Sequence, residues 1–172
     1  MNYFGAKSKK EILTLHIDLR TILNKAIEVF DFSVIEGIRT AKRQNKLFTA
    51  NPPRTTLDGY TRKSKHQGRP CRTSLPGKDA HGNAILNSSG EPICSYAVDI
   101  VPYKKGINPW DSSELNLRRF YYMMGIIKAT AERLLLDGLI SHKIRFGLDW
   151  DSDEIFTDQS FHDLPHMELV EP

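Results

Sequence analysis

The sequence predicts an α+β fold with a small, mainly antiparallel sheet and flanking helices. Two long segments show the apolar periodicity of amphipathic helices, and short runs typical of strands lie between and after them. Helices placed before and between short strands are typical of this class. The 172 residues contain no internal repeat and no low-complexity tail, so we expect a single domain over 1–172.

The first third of the chain is predicted to contain two helices and a strand. Ser8 and Glu11 have the spacing of a capping box, and apolar residues then recur at helical intervals, which predicts a helix over 9–29. A strand is expected over 32–36 and a short helix over 41–48. Prolines and an Asp-Gly pair mark residues 49–63 as a loop.

The last part of the chain is predicted to hold three strands and a long helix. A strand is expected over 97–101, and Asp111-Ser112-Ser113 provides the N-terminal cap of the helix that follows. Gly138 ends that helix. The final strands are expected over 143–146 and 166–170.

Net charge and hydropathy argue against nucleic acid and membranes as binding partners. A formal net charge of +3 is compatible with an anionic polymer but too small to predict nucleic-acid binding. No apolar run has membrane length, and the N-terminal residues lack a signal pattern. We therefore expect a protein that is made in the cytoplasm and has no membrane partner. The expected oligomeric state is a monomer.

Three short segments concentrate the residues suited to metal chemistry. His66, Asp99 and His166 offer two imidazoles and a carboxylate, a set that suits Zn²⁺ and leaves it Lewis acidic. Asp163 adds a second carboxylate three residues before His166, across a turn that contains Pro165. A zinc hydrolase needs three protein ligands, an open position and a nearby base. The sequence therefore predicts these three ligands, with Asp163 as the general base and Glu168 as the rival base.

These segments resemble the motifs S-x-H, G-x-A-x-D and E/D-x-x-H of the zinc D-Ala-D-Ala carboxypeptidase / VanY / phage L-alanyl-D-glutamate endopeptidase family. The resemblance runs from about residue 33 to 170 and implies a zinc fold like that of the D-Ala-D-Ala peptidases and the hedgehog zinc domain. The matching positions are Ser64 and His66, Ala97 and Asp99, Asp163 and His166, Ile35 to Thr40, Arg43, Gln44, Leu47, Phe146-Gly147 and Asp149-Trp150.

The resemblance also implies roles for further residues. Arg39 is expected to stabilise the developing oxyanion or hold a substrate carboxylate, with a salt bridge to Glu36 as the alternative. Gln44, Ser64 and Trp150 are candidate substrate contacts.

One departure from the family pattern is large. The family places the aspartate a few residues after the first histidine, whereas Asp99 lies thirty-three residues after His66, and Ser95 replaces the usual glycine. Residues 68–95, rich in Gly, Pro, Asn and Ser, are therefore interpreted as an exposed insertion. Asp99 reaches the metal only if the two ends of this insertion lie side by side, and His81 is the substitute ligand otherwise.

Cys71 and Cys94 lie near the ends of the insertion. A disulfide between them would restrict the unfolded loop and contribute about 3 kcal/mol of stability. Two free thiols in a reducing cytosol are the alternative. A zinc site made from both is disfavoured, because C-x-x-C spacing is absent.

Asp149, Asp151 and Asp153 alternate in a predicted loop and invite a calcium interpretation. An EF-hand needs glycine at its sixth position and glutamate at its twelfth, and these positions hold Glu154 and Ser160. A solvated acidic turn is therefore expected, with an irregular calcium site as the alternative.

The family resemblance implies a zinc-dependent hydrolase of the peptidoglycan stem peptide. A phage-type endolysin that cleaves L-Ala–D-Glu and leaves the host cytoplasm by holin-type release is the first interpretation. The alternatives are a D-Ala-D-Ala carboxypeptidase or dipeptidase, and a non-catalytic zinc-binding module of the same fold.

Overall fold

The structure, a computed structural model, describes residues 2–71 and 75–171. It confirms the α+β class. The described residues form, in chain order, α1 (Ala6–Ile12), α2 (Ile17–Ala26), β1 (Phe32–Glu36), α3 (Ala41–Phe48), β2 (Arg69–Pro70), β3 (Ile93–Cys94), β4 (Ala97–Pro102), α4 (Glu114–Leu136), β5 (Lys143–Gly147) and β6 (Asp163–Val170).

The main sheet has four strands in the order β1-β4-β6-β5, and every neighbouring pair is antiparallel. One face of this sheet packs with α2 and α4 around the apolar core. Leu19, Ile22 and Leu23 of α2 are fully buried there, together with Met123 and Ile127 of α4. Burying one such side chain stabilises the fold by about 1.5–3 kcal/mol, so this face anchors the sheet.

The strand period of two places polar residues on the opposite face. In β4, Asp99 lies between the buried residues Val98 and Ile100, and in β6, His166 and Glu168 alternate with Met167 and Leu169. A second face that carries charged groups therefore follows directly from an alternating sequence.

The predicted helix over 9–29 is wrong, because the chain forms two shorter helices. Between them, the His16 N–H donates to Ser95 O at 2.8 Å and the Ser95 N–H donates to Thr14 O at 2.9 Å. Thr14 Oγ1 also accepts from the Ile38 N–H at 2.9 Å. These tertiary hydrogen bonds satisfy backbone groups that a continuous helix would use internally.

The predicted capping box also does not form. Helix α1 begins at Ala6, and Ser8 is a buried residue within it. Ser8 Oγ accepts from the Val34 N–H at 3.0 Å, which links the helix to β1. The later helix matches its prediction, since Ser113 Oγ accepts from the Asn116 N–H at 3.3 Å and Gly138 follows with a positive φ of 68°.

The two ends of the 68–95 segment lie side by side. Arg69 pairs with Cys94 and Pro70 with Ile93 in the short β2–β3 ladder, and a disulfide joins Cys71 to Cys94 across a Cα–Cα distance of 5.8 Å. Residues 72–74 lie outside the described part. Among the helices of the described ranges, none combines the length and apolar character needed to cross a bilayer.

Candidate zinc site

The structure brings the three predicted ligands together on the polar face of the sheet. His66 Nε2 lies 3.1 Å from Asp99 Oδ1 and 3.3 Å from His166 Nδ1, and 3.4 Å separates His166 Nδ1 from Asp99 Oδ1. His66 is fully buried and His166 is nearly so. Three side-chain atoms thus form a small triangle at the floor of a cleft of about 610 Å³.

The dimensions of this triangle fit a tetrahedral zinc ion. Bonds of about 2.0–2.1 Å in tetrahedral geometry place two ligand atoms about 3.3–3.4 Å apart. The three measured edges, 3.1, 3.3 and 3.4 Å, lie close to that value. Three protein ligands also leave a fourth position for water or substrate, as in catalytic zinc sites.

Local hydrogen bonds turn the ring of His66 towards the triangle. The Nδ1–H of His66 donates to Gly37 O at 2.7 Å, which leaves Nε2 with its lone pair facing Asp99 and His166. Ser64 Oγ accepts from the His66 N–H at 3.2 Å and holds the turn that carries the histidine. Gly37 has no room for a side chain, because an added Cβ would lie 2.2 Å from Thr14 Oγ1.

Glu168 orients the second histidine. Its Oε2 lies 3.2 Å from His166 Nε2 and accepts the ring N–H, so that Nδ1 faces the triangle. Arg145 pairs with Glu168 Oε1, and Lys65 Nζ lies 3.1 Å from the same oxygen. A carboxylate behind a metal-binding histidine is the usual second layer of a zinc site. Glu168 is occupied by these partners, which disfavours it as the general base.

The charges of these groups depend on one another. Burial alone would raise the pKa of Asp99, but His66 and His166 outweigh it and hold this pKa far below its usual range. Burial would lower the pKa of His166, but hydrogen bonds to Asp99 and Glu168 raise it to about 9. Burial would raise the pKa of Glu168, but His166 and Arg145 lower it to about 2.

Arg39 binds the carboxylate oxygen of Asp99 that does not belong to the triangle. Its Nη2 donates to Asp99 Oδ2 and to Glu36 Oε2, both at 2.8 Å, and its Nη1 donates to Gln44 Oε1 at 2.9 Å. A register shift between Val34 and Glu36 accompanies the position of Glu36 opposite Asp99. The arginine is nearly buried, and this geometry favours a role in positioning Asp99 over the predicted contact with substrate.

Gln44 is fully buried and does not line the cleft. Its Nε2 donates to Thr55 Oγ1 at 3.2 Å and to Leu57 O at 3.0 Å, while its Oε1 accepts from Arg39. The amide thus connects the arginine to the 49–63 loop. This arrangement favours a structural role over the predicted direct substrate contact.

Asp163 lies beside the triangle and lines the same cleft. Burial raises the pKa of its carboxyl group, and the negative charge of Asp99 adds to this effect, whereas His166 opposes it. No side chain in the described residues hydrogen-bonds to this carboxylate. Gly147 allows its close approach, since an added Cβ at 147 would lie 2.8 Å from Asp163 Cβ.

Trp150 forms part of the cleft wall. Its ring lies 5.3 Å from the ring of His166 and stacks on Phe161 with a centroid distance of 6.4 Å, and its Nε1–H donates to Phe161 O at 2.8 Å. Ser64 also lines the cleft but is nearly buried, so its clearest role is in the turn before His66.

The β2–β3 pairing explains how Asp99 reaches the site despite the long separation. The chain leaves the site at Gly68 and returns through β3 into β4, where Asp99 is in register with His166. His81 lies in an exposed turn capped by Asp79 Oδ1, which accepts the His81 N–H at 2.8 Å. The substitute-ligand hypothesis for His81 is therefore unnecessary.

Two further groups of potential ligands occur in the described ranges. His16, Asp18 and His142 form one, and Asp149, Asp151 and Asp153 form the other. Asp18 Oδ2 accepts from the backbone N–H groups of residues 141 and 142 and from His142 Nδ1, so this oxygen holds the 141–142 segment in place. Asp149 accepts the Asp153 N–H at 3.0 Å within the acidic turn.

Sequence reasoning missed the support that Lys65, Arg145 and Gly37 provide. Lys65 stands directly before His66, and its side chain reaches Glu168 and Leu169 O across the sheet. Arg145 stands opposite Glu168 in the β5–β6 ladder. If the predicted strands over 143–146 and 166–170 had been paired with each other, Arg145 and Glu168 could have been recognised as neighbours.

Comparison with known proteins identifies the family and the fold. A family model described as phage L-alanyl-D-glutamate peptidase matches residues 1–170. No sequence of a curated protein matches the chain. Among solved structures, the crystal structure of the Serratia marcescens L-Ala D-Glu endopeptidase ChiX is similar with a TM-score of 0.60, at 19% identity over 97% of this chain and 89% of that one. The structural likeness establishes a shared fold.

Proposed function

Because the chain belongs to the phage L-alanyl-D-glutamate peptidase family, and is thus a peptidoglycan peptidase, we propose that it cleaves the L-Ala–D-Glu bond of the stem peptide with one zinc ion held by His66, Asp99 and His166. The observation that carries the zinc proposal is the triangle of 3.1, 3.3 and 3.4 Å between the three ligand atoms. When bound, zinc would polarise the scissile carbonyl and lower the pKa of water.

Asp163 is the proposed general base. Its carboxylate lies in the cleft without a hydrogen-bonding partner among the described side chains, so it is available to accept a proton from the attacking water. The same carboxyl group then donates that proton to the nitrogen of the leaving amine. Burial raises the pKa of Asp163 towards the working range of an acid–base catalyst.

The remaining residues hold the ligands in place. Glu168 orients His166, Gly37 O orients His66, and Arg39 holds the second oxygen of Asp99. Because these bonds already hold the three ligands in place, the site loses less side-chain conformational entropy when it binds the metal. Trp150 and Phe161 provide an apolar wall beside His166 for the substrate.

The test is cleavage of purified peptidoglycan by zinc-loaded protein, with mass spectrometry of the new termini. New D-Glu amino termini that are absent with Asp163→Ala are the expected result. Released D-Ala would assign the chain to carboxypeptidase chemistry instead. Intact peptidoglycan in the presence of a zinc-loaded, folded protein would contradict the proposal.

The proposed function also implies where the protein is made and how it reaches the cell wall. A peptidase of this family that acts as a phage endolysin would be made in the host cytoplasm and would reach the cell wall after holin-type release. Lysis of host cells on co-expression with a holin, and the absence of lysis in cells that express the peptidase alone, is the result expected for this route.

A further inference from the structure

The cleft around the candidate zinc site carries more positive than negative charge. Seven lysine and arginine side chains line it, against four aspartate and glutamate side chains. This excess of three equals the formal net charge of the entire chain, which is +3. Positive charge is therefore concentrated at the cleft, where it acts on whatever enters.

Four of the seven cations are paired with acidic groups of the site. Arg39 and Arg43 both bind Glu36, and Arg39 also binds Asp99. Lys65 and Arg145 both pair with Glu168. Their charge is offset inside the protein, and their geometry serves the metal ligands.

Arg54, Lys63 and Arg69 differ from these four. All three are exposed and line the cleft, and none has an acidic partner within ion-pair distance in residues 2–71 and 75–171. We name Arg54, Lys63 and Arg69 the cationic rim. Lys63 stands three residues before His66, and Arg69 three residues after it, so the rim belongs to segments that continue directly from a metal ligand.

The loop that carries two rim residues is held in place by buried amides. The Gln44 Nε2 donates to Leu57 O at 3.0 Å, and the Gln67 Nε2 donates to Gly59 O at 2.7 Å. The Arg54 N–H itself donates to Leu47 O at 3.0 Å. Because such bonds fix the loop backbone, only the side chains of its cations remain to be ordered on binding.

The substrate named in the family description, an L-alanyl-D-glutamate peptide, carries an anion next to the scissile bond. A glutamate residue inside a peptide has two carboxyl groups besides its amine, and only one of them can join the next residue. The other remains a free carboxylate immediately after the scissile bond. Guanidinium and ammonium groups bind carboxylates through charge-assisted hydrogen bonds.

We propose that the cationic rim is a carboxylate subsite that selects substrates whose D-glutamyl residue keeps its free carboxylate over substrates in which that group is amidated. The inference rests on the proposed function, because the glutamyl residue must occupy this cleft. Exposed ion pairs are individually weak, so we expect the three rim residues together to give about a tenfold preference in kcat/KM.

The experiment compares two synthetic stem peptides that differ only in the free or amidated carboxyl group of D-Glu. Wild-type protein is assayed beside Arg54→Gln, Lys63→Gln, Arg69→Gln and the triple variant. Lys105→Gln, which removes an exposed cation outside the cleft, is the matched control. Binding of the uncleaved peptides to zinc-loaded Asp163→Ala protein is measured in parallel by calorimetry.

The expected result is about a tenfold preference of the wild type for the free carboxylate, lowered towards one in the triple variant and unchanged in Lys105→Gln. Equal cleavage of both peptides would overturn the subsite and leave the proposed function standing. Selective binding of the carboxylate peptide without cleavage would support the subsite and refute the function. Equal or absent binding together with absent cleavage would refute both.

Discussion

Asp99 on β4 and His166 on β6 are direct partners in an antiparallel ladder, and 3.4 Å separates Asp99 Oδ1 from His166 Nδ1. Side chains of such a pair project from the same face of the sheet at close distance. Two of the three proposed zinc ligands are therefore positioned by backbone pairing, which is more rigid than a loop. His66 completes the set from the turn after Ser64.

Removal of the metal should abolish cleavage reversibly. A strong chelator is expected to reduce activity to background, and one equivalent of Zn²⁺ per chain should restore it, because the ligand triangle provides one tetrahedral site. Metal analysis after dialysis measures the stoichiometry. His66→Ala should hold substoichiometric zinc, while His81→Ala, in an exposed turn, should hold as much as wild type.

Replacing Asp163 should separate metal binding from chemistry. Asp163→Asn is expected to lower kcat by about 10²- to 10⁴-fold, the usual contribution of a general base, with zinc content unchanged. Steady-state kinetics and metal analysis of the same preparation test this. A variant that lost its zinc together with its activity would instead indicate that Asp163 is a ligand.

Glu168 should influence the zinc ion through His166. Glu168→Gln is expected to weaken zinc affinity by about 10- to 100-fold, since the carboxylate that orients the imidazole is lost. A competition titration with a chromophoric chelator gives the affinity. Glu132→Gln, at an exposed position of α4, serves as the control. Unchanged affinity in Glu168→Gln would contradict the orienting role.

Zinc affinity should rise with pH. In the metal-free protein the pKa of His166 is raised to about 9, so zinc must displace a proton from this imidazole below that pH. We expect affinity to increase about tenfold per pH unit between about pH 7 and 9 and then level off. Calorimetry in buffers of different ionisation enthalpy measures the proton released.

The stability of the metal-free protein should change with pH in the opposite direction to zinc affinity: it should fall as the pH rises. A folded-state pKa of about 9, above the ordinary 6.5, stabilises the metal-free protein below about pH 6.5. This contribution is lost as pH rises through about 9. The difference in unfolding free energy between metal-free wild type and His166→Ala should therefore become smaller as the pH rises through about 9, and a constant difference would argue against the raised pKa.

Asp18 should matter for stability rather than for catalysis. Its nearly buried carboxylate accepts three hydrogen bonds from Ser141 and His142 backbone and ring N–H groups at 2.8 to 3.1 Å. Asp18→Asn is expected to lower the free energy of unfolding by about 1.5–3 kcal/mol at pH 7. Chemical denaturation measures this, with kcat expected to remain near the wild-type value.

The stabilisation that Asp18 provides should be lost in acid. Burial would raise the pKa of Asp18, but the bonds from His142 and Ser141 outweigh it and lower this pKa below 3.8. The stabilisation is therefore present above the ordinary pKa and is lost as the pH falls through the folded-state value. Wild type and Asp18→Asn should approach equal stability in strong acid.

The fold class, β1, α3, β4 and α4 were predictable because each rests on local chemistry. Alternating or helical periodicity, the Ser113 cap and the Gly138 stop act within a few residues. The break between α1 and α2 was not predictable in this way. It depends on Ser95, which lies some eighty residues further on and pairs with the Thr14–His16 segment.

The sequence by itself determined which residues are candidates for binding zinc and for acid–base chemistry, because residue type and motif order are local properties. Only the tertiary structure decided that the insertion closes at Arg69–Cys94, so that Asp99 returns to His66 across thirty-three positions. It also decided that Arg39 and Gln44 face inward and that Glu168 is held by His166, Lys65 and Arg145. Those outcomes depend on strand register and burial, which are set by contacts between residues far apart in the chain.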